Sequence, residues 1–101
     1  MKKLLSLVLS LILVLAVVPT LAAGEDYTIG VILSNTANTF FVTMQQAIEA
    51  KAAELGVKAM VQNSADDSAM DVTNMENLIS AGVDIVLYNP VDSDAAAAVV
   101  K

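Results

Sequence analysis

Between residues 28 and 100 the sequence repeats one pattern three times: a short apolar run, a polar turn and a stretch of helical period. Residues 28–33 (TIGVIL) are apolar and β-branched without alternation, as in a strand covered on both faces. A polar turn, 34–39 (SNTANT), leads to residues 40–55, where Phe41, Met44, Ala47, Ile48, Ala52 and Leu55 recur at a helical period. Gly56 sits where a helix C-cap glycine belongs. Residues 57–61 (VKAMV) predict a second strand, and 62–68 a loop in which Asp67 or Ser68 caps the next helix. The buried stripe of that helix is expected at Val72, Met75, Leu78 and Ile79, with Gly82 at its end. Residues 84–88 (DIVLY), closed by Asn89-Pro90, predict a third strand, and 92–94 open a third helix over 95–100.

Strand and helix alternating through short loops make an α/β fold, a parallel sheet with helices on both faces. Such sheets commonly reach about five or six strands. Three βα units therefore describe an incomplete sheet with an open edge and uncovered helix faces. No linker or low-complexity segment divides residues 25–101, which are expected to form a single unit, a partial lobe.

Residues 1–24 follow different rules. Lys2 and Lys3 precede an apolar run, 4–18, relieved only by Ser6 and Ser10. Pro19 breaks it, and Thr20, Leu21, Ala22, Ala23 and Gly24 supply small residues near a cleavage point. This is the build of a secretory signal peptide, cut after Ala22, Ala23 or Gly24. The run is short for a membrane span of roughly 20 residues, so no stable membrane insertion is expected after cleavage. The leader carries much of the chain's apolar character, leaving a soluble product outside the cytoplasm.

All eleven carboxylates lie from Glu25 onward, against Lys51, Lys58 and Lys101 and no arginine. So acidic a surface argues against nucleic acid and anionic lipid as partners. Cysteine is absent, which excludes a disulfide scaffold, a thiolate metal site and an acylated lipoprotein. Histidine is absent too. No metal, cofactor or catalytic set is expected. Asp66 and Asp67 stand before a helix start, where capping and solvation account for them. The methionines are read as gap-fillers.

In open α/β sheets ligands bind beyond the carboxyl ends of the strands, where the strand order reverses. With order 2-1-3, residues 34–39 and 89–94 flank that crevice. Neither segment carries GxGxxG or GxxxxGK[ST], so neither is a phosphate cradle. Asn38 offers both an amide donor and a carbonyl acceptor, and Phe40 and Phe41 follow it. Aromatic faces against the C–H face of a sugar ring, with an amide reading its hydroxyls, make a sensible sugar site. The same residues also serve as an N-cap and first-turn core.

The run TIGVILSNTANTFFVTMQQAIEAKAAELGV resembles the opening of the periplasmic sugar-binding proteins of ABC importers, particularly the ribose-binding type. DIVLYNPVDSDAAAAVVK is similar to that family's third strand and following turn. The most specific pieces are residues 38–41 (NTFF) and 89–95 (NPVDSDA) within a resemblance that covers 27–101. It implies the Rossmann-like or flavodoxin-like N-terminal lobe of a type I periplasmic binding protein. By the same resemblance, Asn38 reads a hydroxyl and Phe40 and Phe41 are the aromatic pair at the sugar. Thr39 stands where the family usually has proline, a change that loosens the first helical turn more than the chemistry.

Asp92 and Ser93 occupy the second loop of the cleft, where they cap the third helix or touch the ligand. The implied function is capture of a small sugar, ribose or a similar monosaccharide, in the periplasm and its delivery to a permease. The whole protein is expected to be a monomer closing two lobes about a hinge, with a further ~200 residues that supply the remaining strands of this lobe, the hinge and the second lobe. A binding protein serving a chemoreceptor or sensor kinase would carry the same site, and a truncated remnant would keep only the ancestry. An enzyme would have only Ser34, Ser93 and carboxylates to work with, and no nucleophile elbow.

Overall fold

The computed structural model describes residues 26–101. The predicted leader, residues 1–24, lies outside them. Six elements alternate along the described residues: β1 (Thr28–Leu33), α1 (Thr39–Leu55), β2 (Lys58–Asn63), α2 (Ser68–Ser80), β3 (Ile85–Tyr88) and α3 (Ser93–Val99). The three strands form one parallel sheet in the order β2-β1-β3, as the sequence leads one to expect. β1 is central, pairing Thr28 with Lys58 through Leu33 with Asn63 on one side, and Ile29 with Ile85 through Ile32 with Tyr88 on the other. The reversal of strand order falls between β1 and β3, beyond Leu33 and Tyr88.

Element boundaries shift for identifiable reasons. β2 starts at Lys58 and runs past Val61 to Asn63, because Ile32 and Leu33 of β1 hold Gln62 and Asn63 in register. β3 begins at Ile85, since the Asp84 carboxylate instead accepts from the Thr28 N–H. α3 begins at Ser93, two residues before the predicted start. The Asp92 carboxylate accepts from the N–H groups of Asp94 and Ala95 and closes the first turn there. Gly56 caps α1 at φ 71°, the left-handed conformation a side chain disfavours. Asp67, rather than Ser68, caps α2.

The core is small and centred on β1. Val31, Ile32 and Leu33 are buried, joined by Ala52 of α1 and Leu78 of α2. Gly30 exists to admit Leu78: a Cβ there would lie 2.8 Å from Leu78 Cδ1 and 3.2 Å from Val83 Cγ2. α2 therefore packs down onto β1 on the face of Gly30. Met44 and Ile48 of α1 instead border an apolar groove of ≈ 300 Å³ with Val31, Leu33 and Leu87. In that groove the second helical layer stops short, and Ile85 and Leu87 of β3 are 56% and 46% exposed.

The buried stripe of α2 corrects the sequence reading. Leu78 is fully buried and Met75 partly so, but Val72 and Ile79 are 44% and 65% exposed. The inward face is Asp71, Asn74 and Leu78, spaced i, i+3, i+7. Counting apolar residues alone turned the helix by about one residue, because two of its three buried positions are polar. On α1, Ala47 and Leu55 likewise face solvent while Ala52 is buried.

Candidate functional site

Two loops rise from the carboxyl edge of the sheet beside the reversal point, residues 34–38 after β1 and 89–92 after β3. They are tied to each other. The Ser34 N–H donates to Asn89 Oδ1 at 3.2 Å, and the Asn89 N–H donates to the Ile32 carbonyl at 2.9 Å. From the other side, the Asp66 N–H donates to the Ser34 carbonyl and Asn35 Nδ2 donates to Asp66 Oδ1. Ala65 and Asp66 reach this position at φ 50° and 59°, consecutive left-handed residues without glycine. Such conformations cost roughly 1–2 kcal/mol for an ordinary side chain. A polar hollow of ≈ 350 Å³ lies between the loop after β1 and the loop after β2, lined by Asn35, Thr36, Asn63 and Asp66.

At the head of α1, Asn38 serves as N-cap. Its Oδ1 accepts from the Phe40 N–H at 2.9 Å, and its own N–H donates to Asn35 Oδ1. The Nδ2 donors make no hydrogen bond among the described residues. Phe40 is 63% exposed and meets the half-buried Phe41 edge to face, with ring centroids 5.2 Å apart and planes at 83°. Phe41 anchors the pair and Phe40 presents its ring. The reading of both as core residues fails for Phe40, and Phe41 is only half-buried.

Asp92 and Ser93 start α3. Asp92 Oδ1 takes both capping bonds, and the Asp92 and Ser93 side chains are exposed. No hydrogen bond joins them to Asn38 or Phe40. The loops carrying the two groups are neighbours through Ser34 and Asn89.

The sequence reading missed a buried polar cluster behind the second loop. Asp71 is fully buried and accepts from Ser64 Oγ, from the Tyr88 hydroxyl at 2.8 Å and from the Val91 N–H at 3.0 Å. Asn74 Nδ2 donates to Ser64 Oγ at 3.0 Å. Burial, then the hydrogen bond to Asp71 and its negative charge, push the Tyr88 phenol up to about 12. Polar residues at i and i+3 on the face of a buried leucine were the available signal. Among the described residues no three His, Cys, Asp or Glu side chains are grouped to hold a metal. No helix there is long and apolar enough to cross a membrane.

Comparison with known proteins places this architecture. A periplasmic binding protein domain model matches residues 29–101. The ribose import binding protein of Haemophilus influenzae is 41% identical over 95 residues, covering 94% of this chain and 32% of that protein. Its Escherichia coli K12 counterpart is 37% identical over 101 residues, 100% of this chain and 33% of that protein. Among solved structures, an ABC transporter solute-binding protein from Bacillus halodurans with bound myo-inositol superposes with TM-score 0.68 at 32% identity. It covers 76% of this chain and 27% of that one. One from Actinobacillus succinogenes with bound D-allose, 24% identical, gives 0.64 and covers 73% and 29%. The chain thus spans about a third or less of the relatives it matches. Its three βα units, wound in the order 2-1-3, and the match from residue 29 to residue 101 agree: the chain belongs to the periplasmic binding protein domain family.

Proposed function

We propose that residues 25–101 form one wall of a sugar site in the solute-binding component of an ABC importer. The protein works in the periplasm after removal of a leader, residues 1–24. The observation that carries this reading is Phe40, a large aromatic ring 63% exposed at the head of α1, beside an Asn38 whose Nδ2 donors are free among the described residues. Folding gains little from a ring held that way, whereas a sugar gains an apolar face and a hydroxyl-reading amide together. The names of the ribose import binding proteins, and the D-allose and myo-inositol bound to solved relatives, support a small polyhydroxylated ligand. Ribose or a similar monosaccharide fits.

Asn38, Phe40 and Phe41 make the first wall, and Asp92 and Ser93 border the second loop. In the whole protein, hinge closure of a second lobe buries the sugar against this wall and forms the surface a permease recognises. Periplasmic binding proteins are a standard example of that motion. No bond is made or broken.

The test is an NMR titration of the chain with D-ribose, D-allose and myo-inositol, with glycine betaine as a non-sugar control. A single wall should bind weakly, about millimolar, or about 4 kcal/mol. The expected response is concentrated on the Phe40 ring and the Asn38 side-chain amide and is lost in Phe40→Ala. Sugar-induced shifts that leave both residues unmoved refute the proposal.

A further inference from the structure

We infer that Asp71, on α2, is a positioning residue for the second ligand loop: its buried carboxylate holds the 89–92 turn in the shape that presents Asp92 and Ser93. The inference rests on the sugar-site reading given above. Asp71 has no exposed surface and no Lys or Arg partner; the one ion pair among the described residues is Lys51–Glu54. A buried carboxylate held by neutral donors alone is an expensive way to fill a core position, and a leucine would pack there without it. What a leucine cannot do is accept hydrogen bonds from three separate segments.

Asp71 Oδ1 accepts from Ser64, in the loop after β2. Its Oδ2 accepts both from Tyr88, the last residue of β3, and from the Val91 N–H within the turn. Asn74 donates to Ser64 Oγ, so the serine hydroxyl hydrogen is directed at Asp71. Within the turn, Pro90 has no N–H to offer. Asn89 binds to Ile32 and Ser34 on the side of β1, and Val91 binds to Asp71 on the side of α2. The turn is thus gripped from both sides just before Asp92. The Asp71 grip is the one placed to set where α3 begins, since Val91 immediately precedes its cap.

The experiment is amide hydrogen exchange of the full chain, followed residue by residue by NMR in the wild type, Asp71→Asn and Asp71→Leu, with no sugar present. In the wild type Val91 should exchange at least ~10-fold more slowly than in an unstructured peptide. Asp71→Asn, whose amide oxygen can take the place of Oδ2, should keep that protection within ~3-fold. It should also move the Val91 proton resonance upfield, because the bond no longer ends on a charge. Asp71→Leu should release Val91 by ~10-fold or more while β1 amides change by less than ~3-fold.

A merely structural role predicts instead that Val91 and β1 lose protection together. An unprotected Val91 in the wild type, or an unmoved Val91 resonance in Asp71→Asn, overturns the inference even if the leucine variant fails to fold. Because no sugar is used, a failure here is distinct from a failure of sugar binding, which the Phe40 titration reports on its own.

Discussion

Gly30 and Leu78 form a matched pair, and a double-mutant cycle between them measures how tightly α2 is set on the sheet. Gly30→Ala places a methyl 2.8 Å from Leu78 Cδ1 and 3.2 Å from Cδ2, well inside van der Waals contact. Overpacking of this kind costs about 1–3 kcal/mol. Loss of glycine's freedom in the unfolded chain returns roughly 0.4–1 kcal/mol. The net destabilisation expected is about 1–2 kcal/mol. Leu78→Ala removes three buried carbons, about 2.4 kcal/mol of transfer energy, and with the cavity term about 3–4 kcal/mol.

In the double variant the added methyl enters the vacated space, leaving only Val83 Cγ2 at 3.2 Å as a close neighbour. Gly30→Ala should then be close to neutral, a favourable coupling of about 1–2 kcal/mol. Urea unfolding followed by far-UV circular dichroism measures all four corners of the cycle. A constant concentration of trimethylamine oxide keeps the weakest variant folded. Additive effects, with coupling below ~0.5 kcal/mol, would show that α2 slides freely and that Gly30 has another reason to be glycine.

Three further outcomes are expected. Tyr88 is held protonated by burial and by Asp71, with its phenol near 12, so its contribution to stability is complete below about pH 10 and disappears as pH rises through about 12. After allowance for partial exposure the loss is of order 1 kcal/mol, read as the difference in pH slope between wild type and Tyr88→Phe. Gly56→Ala forces a methyl into a left-handed cap and should cost about 1–2 kcal/mol in thermal or urea unfolding, with no change in the carboxyl edge of the sheet. Phe40→Ala should lower stability by no more than about 1 kcal/mol, since the ring is mostly exposed and loses chiefly its edge contact with Phe41.

Element order, strand order and caps were legible because each is written in local chemistry. TIGVIL can sit only in a covered strand, Gly56 and Gly82 take positive φ, and Asp67 and Asp92 begin helices with their own carboxylates. At the candidate site the placement of Asn38 and Phe40 followed from the turn that precedes α1. The inward face of α2 was not legible. Asp71 and Asn74 are buried for the sake of Ser64, Tyr88 and Val91, partners seven to twenty residues away that only the folded sheet brings near. A period counted in apolar residues passes over such a face and settles on Val72 and Ile79, which solvent reaches. The clasp between Ser34 and Asn89 escaped for the same reason, since 55 residues separate its partners.

The position of β1 in the middle of the sheet has a consequence for how the chain is born. Among the described residues the first strand to be synthesised is the one that needs both neighbours, and its pairing with β3 joins Ile32 to Tyr88. At ~5–20 residues per second, about 3–11 s of synthesis separate the two ends of that pairing. During that interval the most buried strand of the sheet lacks its second partner, and no local hairpin can take the place of a parallel crossover. The connectivity itself thus builds a delay into folding, long enough for a chaperone or a translocation channel to engage TIGVIL before the sheet closes over it.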